Sequence, residues 1–357
     1  MQKKDTLLDF SKQTFFLGLD VHKKNWSVTV RANSLELRTF SMNPDPGELS
    51  RYMQRHYPNG TYLSCYESGF SGYWIHRELG SLGIKNIVVN PADIPTTNKE
   101  QSMKMDPVDS RKMARELENG TLRAIYIPDE LSQELRSLSR MRLQLVKDET
   151  RIKNRIKGFL HFYGKKFPDN HEMKHWSRRF IEELKDLEFT YPLGKEELEM
   201  YIDELQKVRE SLLGVVKRLR KYIVEYGRQG DLELLMSIPG IGYKTALAVL
   251  TEIMDVKRFP SFDKLACYVG FVPSTHSSGE KDRVGPLSLR YSRYLRSLLI
   301  EASWIAVRRD PALTLSFMEL TKRMSKQEAI VRIAKKLLSR LFHVWKNRVK
   351  YSCAVVK

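Results

Sequence analysis

Apolar residues recurring every seven positions constrain this chain more than any other feature. Leu131, Leu138, Leu145, Ile152 and Phe159 keep that interval, and Leu198, Leu205, Leu212 and Leu219 take it up again. Leu135, Ile156 and Tyr163 occupy the companion positions of the first run, which Arg142 and Glu149 interrupt. Tyr201, Val208, Val215 and Tyr222 complete the second without a break. A strand alternates with period two and cannot carry this pattern, so two long helices are predicted within 129–227, a coiled-coil segment with a polar, irregular connector between them. An intramolecular hairpin and a seam between two chains satisfy the pattern equally.

The flanking regions differ in kind. FFLGLDV (15–21), NWSVTVRA (25–32) and LELRTFSM (35–42) read as three closely linked strands. Then come a helix at 46–57, a strand at 61–67, a helix at 72–83, a strand at 85–90, a helix at 106–120 closed by Asn-Gly, and a last strand at 122–128 stopped by Pro. That order predicts an α/β domain over 1–128, a mixed sheet flanked by helices. From 228 to 357 the chain reads as mainly α, punctuated by SIPGIG (237–242) and a polar loop, 274–288, with two basic helices at the end.

The chain has 357 residues, 41% of them hydrophobic, with a formal net charge of +18. A packed core is feasible, and a fold this basic calls for a polyanion. Nucleic acid fits better than an anionic membrane, because no apolar run approaches 20 residues and no basic amphipathic anchor stands apart. Cys65, Cys267 and Cys353 are odd in number and form no CxxC pair, which argues against a disulfide framework or a zinc ribbon. The first residues lack an apolar core segment, so no secretory signal is expected and the setting is read as reducing and cytoplasmic.

Four acids stand out. Asp20 and Glu67 each end a strand, where α/β folds gather their sites. Asp106 and Asp109, in KMDPVDSRKMA (104–114), open a helix. Asp, then Pro, then an acid is a complete helix-start signal without any further role. The same two carboxylates share one helical face and retain lone pairs for a metal. Together the four suit two Mg²⁺ ions about 3.5–4 Å apart, hard cations that take oxygen ligands and assist phosphodiester cleavage. His22 and His76 lack metal-ligand spacing and are read as packing residues.

LGLDVHK (17–23), CYESG (65–69), VVNP (88–91) and KMDPVDSRKMA, in that order, resemble the signature blocks of the DEDD transposases of insertion sequences, relatives of the Piv-like DNA invertases. SIPGIGYKTALAVLTEI and FDKLACYVGFVPSTHSSG extend the resemblance over nearly the whole chain. It implies an RNase H/RuvC-like domain over 1–128 with Asp20, Glu67, Asp106 and Asp109 as the catalytic, Mg²⁺-binding tetrad (Mn²⁺ as a substitute). It also implies a serine nucleophile before a glycine, Ser278 with Ser277 as the alternative, in a C-terminal transposase domain over 228–357. The implied partners are double-stranded DNA at element ends and target, a non-coding bridge RNA, and further copies of the chain as a dimer or tetramer, in a bacterial or archaeal cytoplasm.

A serine hydroxyl needs activation, and His276 is the one base in its loop. PGIG (239–242) resembles a helix-hairpin-helix turn; Gly240, Gly242 and Lys244 suit phosphate contact, and a plain tight turn is the alternative. Arg151, Lys153 and Arg155 on the first long helix, with Arg283 and Arg293 further on, complete the expected nucleic-acid contacts. Members of the family commonly carry a Gly-Asn type turn before the Leu-Arg helix; Tyr291 and Ser292 stand there instead. Two other readings fit the bulk properties, a RuvC-like nuclease using metal-activated water and a non-catalytic nucleic-acid-binding protein.

Overall fold

The structure, a computed structural model, describes residues 9–95, 106–167, 176–278, 281–287 and 291–353, with backbone alone for Asp106, 274–278 and 281–287. It divides into two compact units, Met1–Ile127 and Pro128–Lys357.

The first unit is built on one sheet of β1 (Thr14–Val21), β2 (Trp26–Ala32), β3 (Leu35–Met42), β4 (Thr61–Glu67) and β5 (Lys85–Val89), in the order β3-β2-β1-β4-β5. The first three strands form an antiparallel meander, and β4 and β5 run parallel to β1 and to each other. Among the described residues, three helices pack on it: α1 (Pro46–His56), α2 (Trp74–Ser81) and α3 (Asp106–Glu118). Asp45 starts α1, its carboxylate accepting from the Gly47 amide at 2.7 Å, with Pro46 next.

Both faces of the sheet are covered. Phe15, Leu17 and Leu19 of β1 join Trp26, Val28 and Val30 of β2 and Leu49, Met53, Ile75 and Leu79 of α1 and α2 in one core. On the other face Cys65, Val89, Met113 and Leu117 form a second, smaller core under α3. A strand buried on both sides reads as an apolar run, which is why FFLGLDV shows little alternation.

Gly18 sets how closely α3 lies. A Cβ at this position would fall 2.0 Å from the Ser110 carbonyl oxygen and 2.4 Å from the Ala114 nitrogen. Hydroxyls then lock the helix in place: Ser110 Oγ lies 3.1 Å from Ser27 Oγ and 2.9 Å from Thr29 Oγ1. The expected strand at 122–128 is not one. This segment makes a single antiparallel bridge, Val89 to Ala124, with the Ile125 amide donating to the Val88 carbonyl at 2.8 Å. Leu122 leans on one core and Ile125 and Ile127 on the other, so the segment covers the β5 edge without extending the ladder.

The second unit begins with the long helices. α4 (Glu130–Phe162) and α6 (Pro192–Glu225), of 33 and 34 residues, pack on each other within the chain. Ile152, Ile156 and Phe159 meet Leu198, Ile202 and Leu205 in a core of their own. The expected irregular connector contains α5 (Arg178–Lys185), whose Ser177 cap accepts from the Phe180 amide and whose Phe180, Ile181 and Leu184 are buried in that same core. Both heptad interruptions have partners. Glu149 takes Lys153 at 2.8 Å and Arg209 at 3.0 Å, and buried Arg142 donates to the Tyr294 hydroxyl at 3.4 Å.

Beyond them come α7 (Gln229–Met236), α8 (Tyr243–Ile253), α9 (Phe262–Val269), the hairpin β6 (Pro273–Ser278) and β7 (Lys281–Leu287), α10 (Arg293–Ala306), α11 (Pro311–Thr321) and α12 (Lys326–Asn347). Glu252 of α8, 1% exposed, accepts both ends of the Arg140 guanidinium at 2.7 and 2.9 Å, with Arg136 at 3.3 Å, and so ties α8 to α4. Two expectations change here. The polar loop is a two-stranded ribbon in which the β-formers Thr275 and Val284 face each other. The C-terminal stretch also holds three helices rather than two. The extra one, α11, starts at Asp310-Pro311, with the Asp310 carboxylate accepting from the Leu313 amide.

Replacing Gly18 with valine forces α3 off the sheet. The Gly18→Val protein is expected to lose about 3 kcal/mol or more of stability, measured by denaturant unfolding, whereas Gly80→Ala on α2, with open space at its Cβ, leaves the midpoint nearly unchanged.

Candidate active site

Strand register decides where the acids point. Leu19 pairs with Tyr66 and Gly18 with Cys65 across the parallel β1–β4 ladder. One step further, Asp20 and Glu67 lie side by side on strands about 4.8 Å apart. Both share the parity of Gly18 and Cys65, the face that α3 covers. Two observations agree with that placement: Cys65 Sγ donates to the Met113 carbonyl of α3 at 3.5 Å, and burial, helped by the Glu67 carboxylate, pushes the Cys65 thiol well above its ordinary pKa.

The direction of α3 follows from its contacts. Ser110 bonds Ser27, the register partner of Asp20, while Glu118 at the other end accepts from Arg31 Nε at 2.8 Å, and Arg31 pairs with Phe16. The helix therefore runs antiparallel to β1, and its N-terminus lies over the carboxyl edge. Asp106 is its first residue, with its side chain outside the described residues. Asp109 immediately precedes Ser110, and its carboxylate accepts from Lys112 Nζ at 3.1 Å. Thus the backbone brings segments bearing all four acids to one sheet edge. Among the described residues, no group of three or more His, Cys, Asp or Glu forms a metal cluster. The donor set at this edge, carboxylate oxygens over an N-terminal helix turn, fits a hard divalent cation better than a soft one.

His22, set aside on spacing, stands here as well: its Nε2 lies 3.2 Å from Asp20 Oδ2. The available signal was position, since residues two apart at a strand end share a face. His76 bonds Asn86 Oδ1 at 3.0 Å.

In the second unit Ser278 and Ser277 lie on β6, in register with Lys281 and Asp282, and Arg283 pairs with His276. The side chains of all of these lie outside the described residues. Gly240 is left-handed, φ +89°, and its Cβ would meet the Ala302 carbonyl of α10 at 2.6 Å, so packing alone demands glycine there. Gly242 differs. It starts α8 without a side-chain cap and its Cβ position is open; Lys244, two residues on in the first turn, is exposed. The turn lines a cavity of about 440 Å³ with Ile305 and Arg309.

The basic run on α4 is more paired than its sequence suggests. Arg151 meets Asp148 at 2.7 Å, Lys153 meets Glu149, and Arg155 lies 3.5 Å from Glu204. Arg293 is exposed on the first turn of α10. The departure at 291–292 has a structural account: Tyr291 fills the space beside left-handed Gly270, and the Ser292 hydroxyl caps α10 at the Leu295 amide.

A mixed sheet of this order with an acidic carboxyl edge, followed by a helical unit, is consistent with an RNase H-like domain and its appended transposase region. Comparison with known proteins makes the class definite. A family model for DEDD transposases of the IS110 type, described as Transposase, matches residues 17–165, and one described as Transposase IS116/IS110/IS902 family matches 232–317. The chain carries both domains of this transposase family and its relatives are named transposases, so it is an enzyme that acts on DNA. Its relatives include the y4rJ protein of Sinorhizobium fredii, 26% identical over 96% of this chain and 94% of the relative. The transposase for insertion sequence element IS1111A of Coxiella burnetii is 27% identical over 80% and 78%. The pilin gene-inverting protein of Moraxella lacunata is 26% identical over 91% and 93%. Among the described residues no helix is long and apolar enough to cross a membrane.

The packing role of Gly240 and the phosphate contact expected of Lys244 separate by experiment. Gly240→Ala is expected to lower the melting temperature by several degrees. Lys244→Ala is expected to leave melting unchanged while weakening DNA binding and reducing its salt dependence by about one charge, read from a titration over salt.

Proposed function

We propose that this chain cuts and exchanges DNA strands at the ends of an insertion sequence through a serine–DNA intermediate. Residues 1–128 act as a RuvC-like catalytic domain, 129–227 as a spacing and self-association segment, and 228–357 as the domain that carries the nucleophile. The observation that supports this most directly is the convergence of the Asp20, Glu67 and α3 backbones at one sheet edge.

Asp20, Glu67, Asp106 and Asp109 hold Mg²⁺, for which Mn²⁺ substitutes. When bound, the ions supply stabilisation of charge on the phosphate. His22 orients the Asp20 carboxylate through its hydrogen bond. The Ser278 hydroxyl attacks phosphorus, its proton passes to solvent or to His276, and the P–O bond to deoxyribose breaks as the leaving oxygen takes a proton. The phosphoserine ester conserves the bond, and a DNA hydroxyl from the exchanging strand then displaces serine. Gly242, Lys244, Arg283 and Arg293 position backbone phosphates, which fixes register without reading sequence. Target choice falls to a bridge RNA through base pairing, with the protein working as a dimer or tetramer in the cytoplasm. The net charge of +18 suits two nucleic acids at once.

Denaturing gels of reactions on element-end DNA test the scheme. Wild-type protein is expected to give a covalent adduct, Ser278→Ala none, and Asp20→Asn a loss of about 100-fold or more in cleavage. Adduct surviving in Ser278→Ala but absent in Ser277→Ala would move the nucleophile by one residue. Hydrolysed ends with no adduct in any variant would replace serine with water.

A further inference from the structure

We propose that Phe70, with Lys23 beside it, is a stacking platform for an unpaired DNA base adjoining the phosphate that is cut. This rests on the carboxylate-edge reading and names a positioning group that the tetrad and serine do not include.

Phe70 follows Glu67 by three residues and its side chain is 65% exposed. An apolar ring in water contributes little to the fold, and a loose loop would let it turn inward. This loop is held at both ends. The Ser68 amide donates to the Val89 carbonyl at 2.8 Å, tying the loop to β5. At the far side the Tyr66 hydroxyl donates to the Gly72 carbonyl at 2.8 Å, and the Gly72 amide, in left-handed backbone, closes a turn onto Gly69. The ring is therefore displayed by a braced turn. Lys23 lies in the loop after β1, three residues after Asp20, and its Nζ lies 6.0 Å from the Phe70 ring centroid. Trp74, the first residue of α2, is also 47% exposed. The strands that carry Asp20 and Glu67 at their carboxyl ends thus continue into loops that pair a cation with an open aromatic face.

The chemistry selects the occupant. A lysine ammonium beside the ring is a poor match for the core of a protein interface, where lysine is depleted. It suits a nucleotide, whose base stacks on the ring while its phosphate meets the lysine. A base inside a duplex already has both faces covered, so the ring can take one that has left the stack. The gain is paid for by unstacking, which costs least where a base is already unpaired.

The test uses full-length protein without divalent metal, so that binding is read apart from cleavage. The probes are a mixed-sequence DNA duplex carrying one unpaired 2-aminopurine, the same duplex fully paired, and an RNA version of the first. Wild-type protein should quench the unpaired 2-aminopurine and bind that duplex more tightly than the paired one. Phe70→Ala should remove the preference, a loss of about 5- to 150-fold, without changing affinity for the paired duplex; Phe70→Trp should restore it. Equal affinities in wild type and Phe70→Ala, or a uniform loss on both duplexes, overturns the platform. A larger loss on the RNA probe overturns DNA as the occupant. The parent reading fails separately, if Asp20→Asn cleaves DNA as well as wild type when metal is restored.

Discussion

The approach of α3 to β1 at Gly18 is the contact on which the acidic edge depends. With no Cβ in the way, the Ser110 carbonyl and Ala114 nitrogen lie where a side chain would otherwise stand. Three hydroxyls, those of Ser27, Thr29 and Ser110, then fix the rotation and the longitudinal position of the helix. A helix held one turn further along would leave Asp106 and Asp109 away from Asp20 and Glu67 whatever their chemistry. The site is thus a product of backbone packing first and of charge second.

Much of this was legible in the chain. The β1, β2 and β3 strands, the alternation after them and the ends of β4 and β5 follow from apolar runs and turn residues, and the heptads point to both long helices, although α6 starts six residues before Leu198. What was hidden was anything decided by a distant partner. Residues 122–128 have strand-like composition, yet only Ala124 finds a bridge partner at the β5 edge. The stretches 273–278 and 281–287 are polar enough to read as loop, yet their backbones pair as strands. Gly240 looked like a phosphate contact, and the backbone of α10 beside it accounts for the glycine by itself. The four acids could be chosen from strand ends, a helix start and a family resemblance. Their approach to one edge required register, which no local pattern carries.

The same distinction applies to charge. Along α4 the basic residues look like an open phosphate track in sequence, but Arg140 is spent on buried Glu252, Lys153 on Glu149 and Arg151 on Asp148. Exposed pairs of this sort contribute little to stability. The Glu252 carboxylate is different in kind, since it is buried and losing both Arg136 and Arg140 would leave its charge stranded.

The length of the helical hairpin has a consequence of its own. With 33 residues in α4 and a rise of 1.5 Å each, it extends for about 50 Å. One core, around Phe159, Phe180 and Leu198, sits toward its tip, and another, around Leu219, Leu247 and Leu337, lies at its base. Each residue added turns everything beyond it by about 100°. Matched insertions of seven in both arms would keep the tip facing the same way, while other lengths would swing it around the axis. The reach of such an arm can therefore change in steps of a heptad without disturbing the packing at either end.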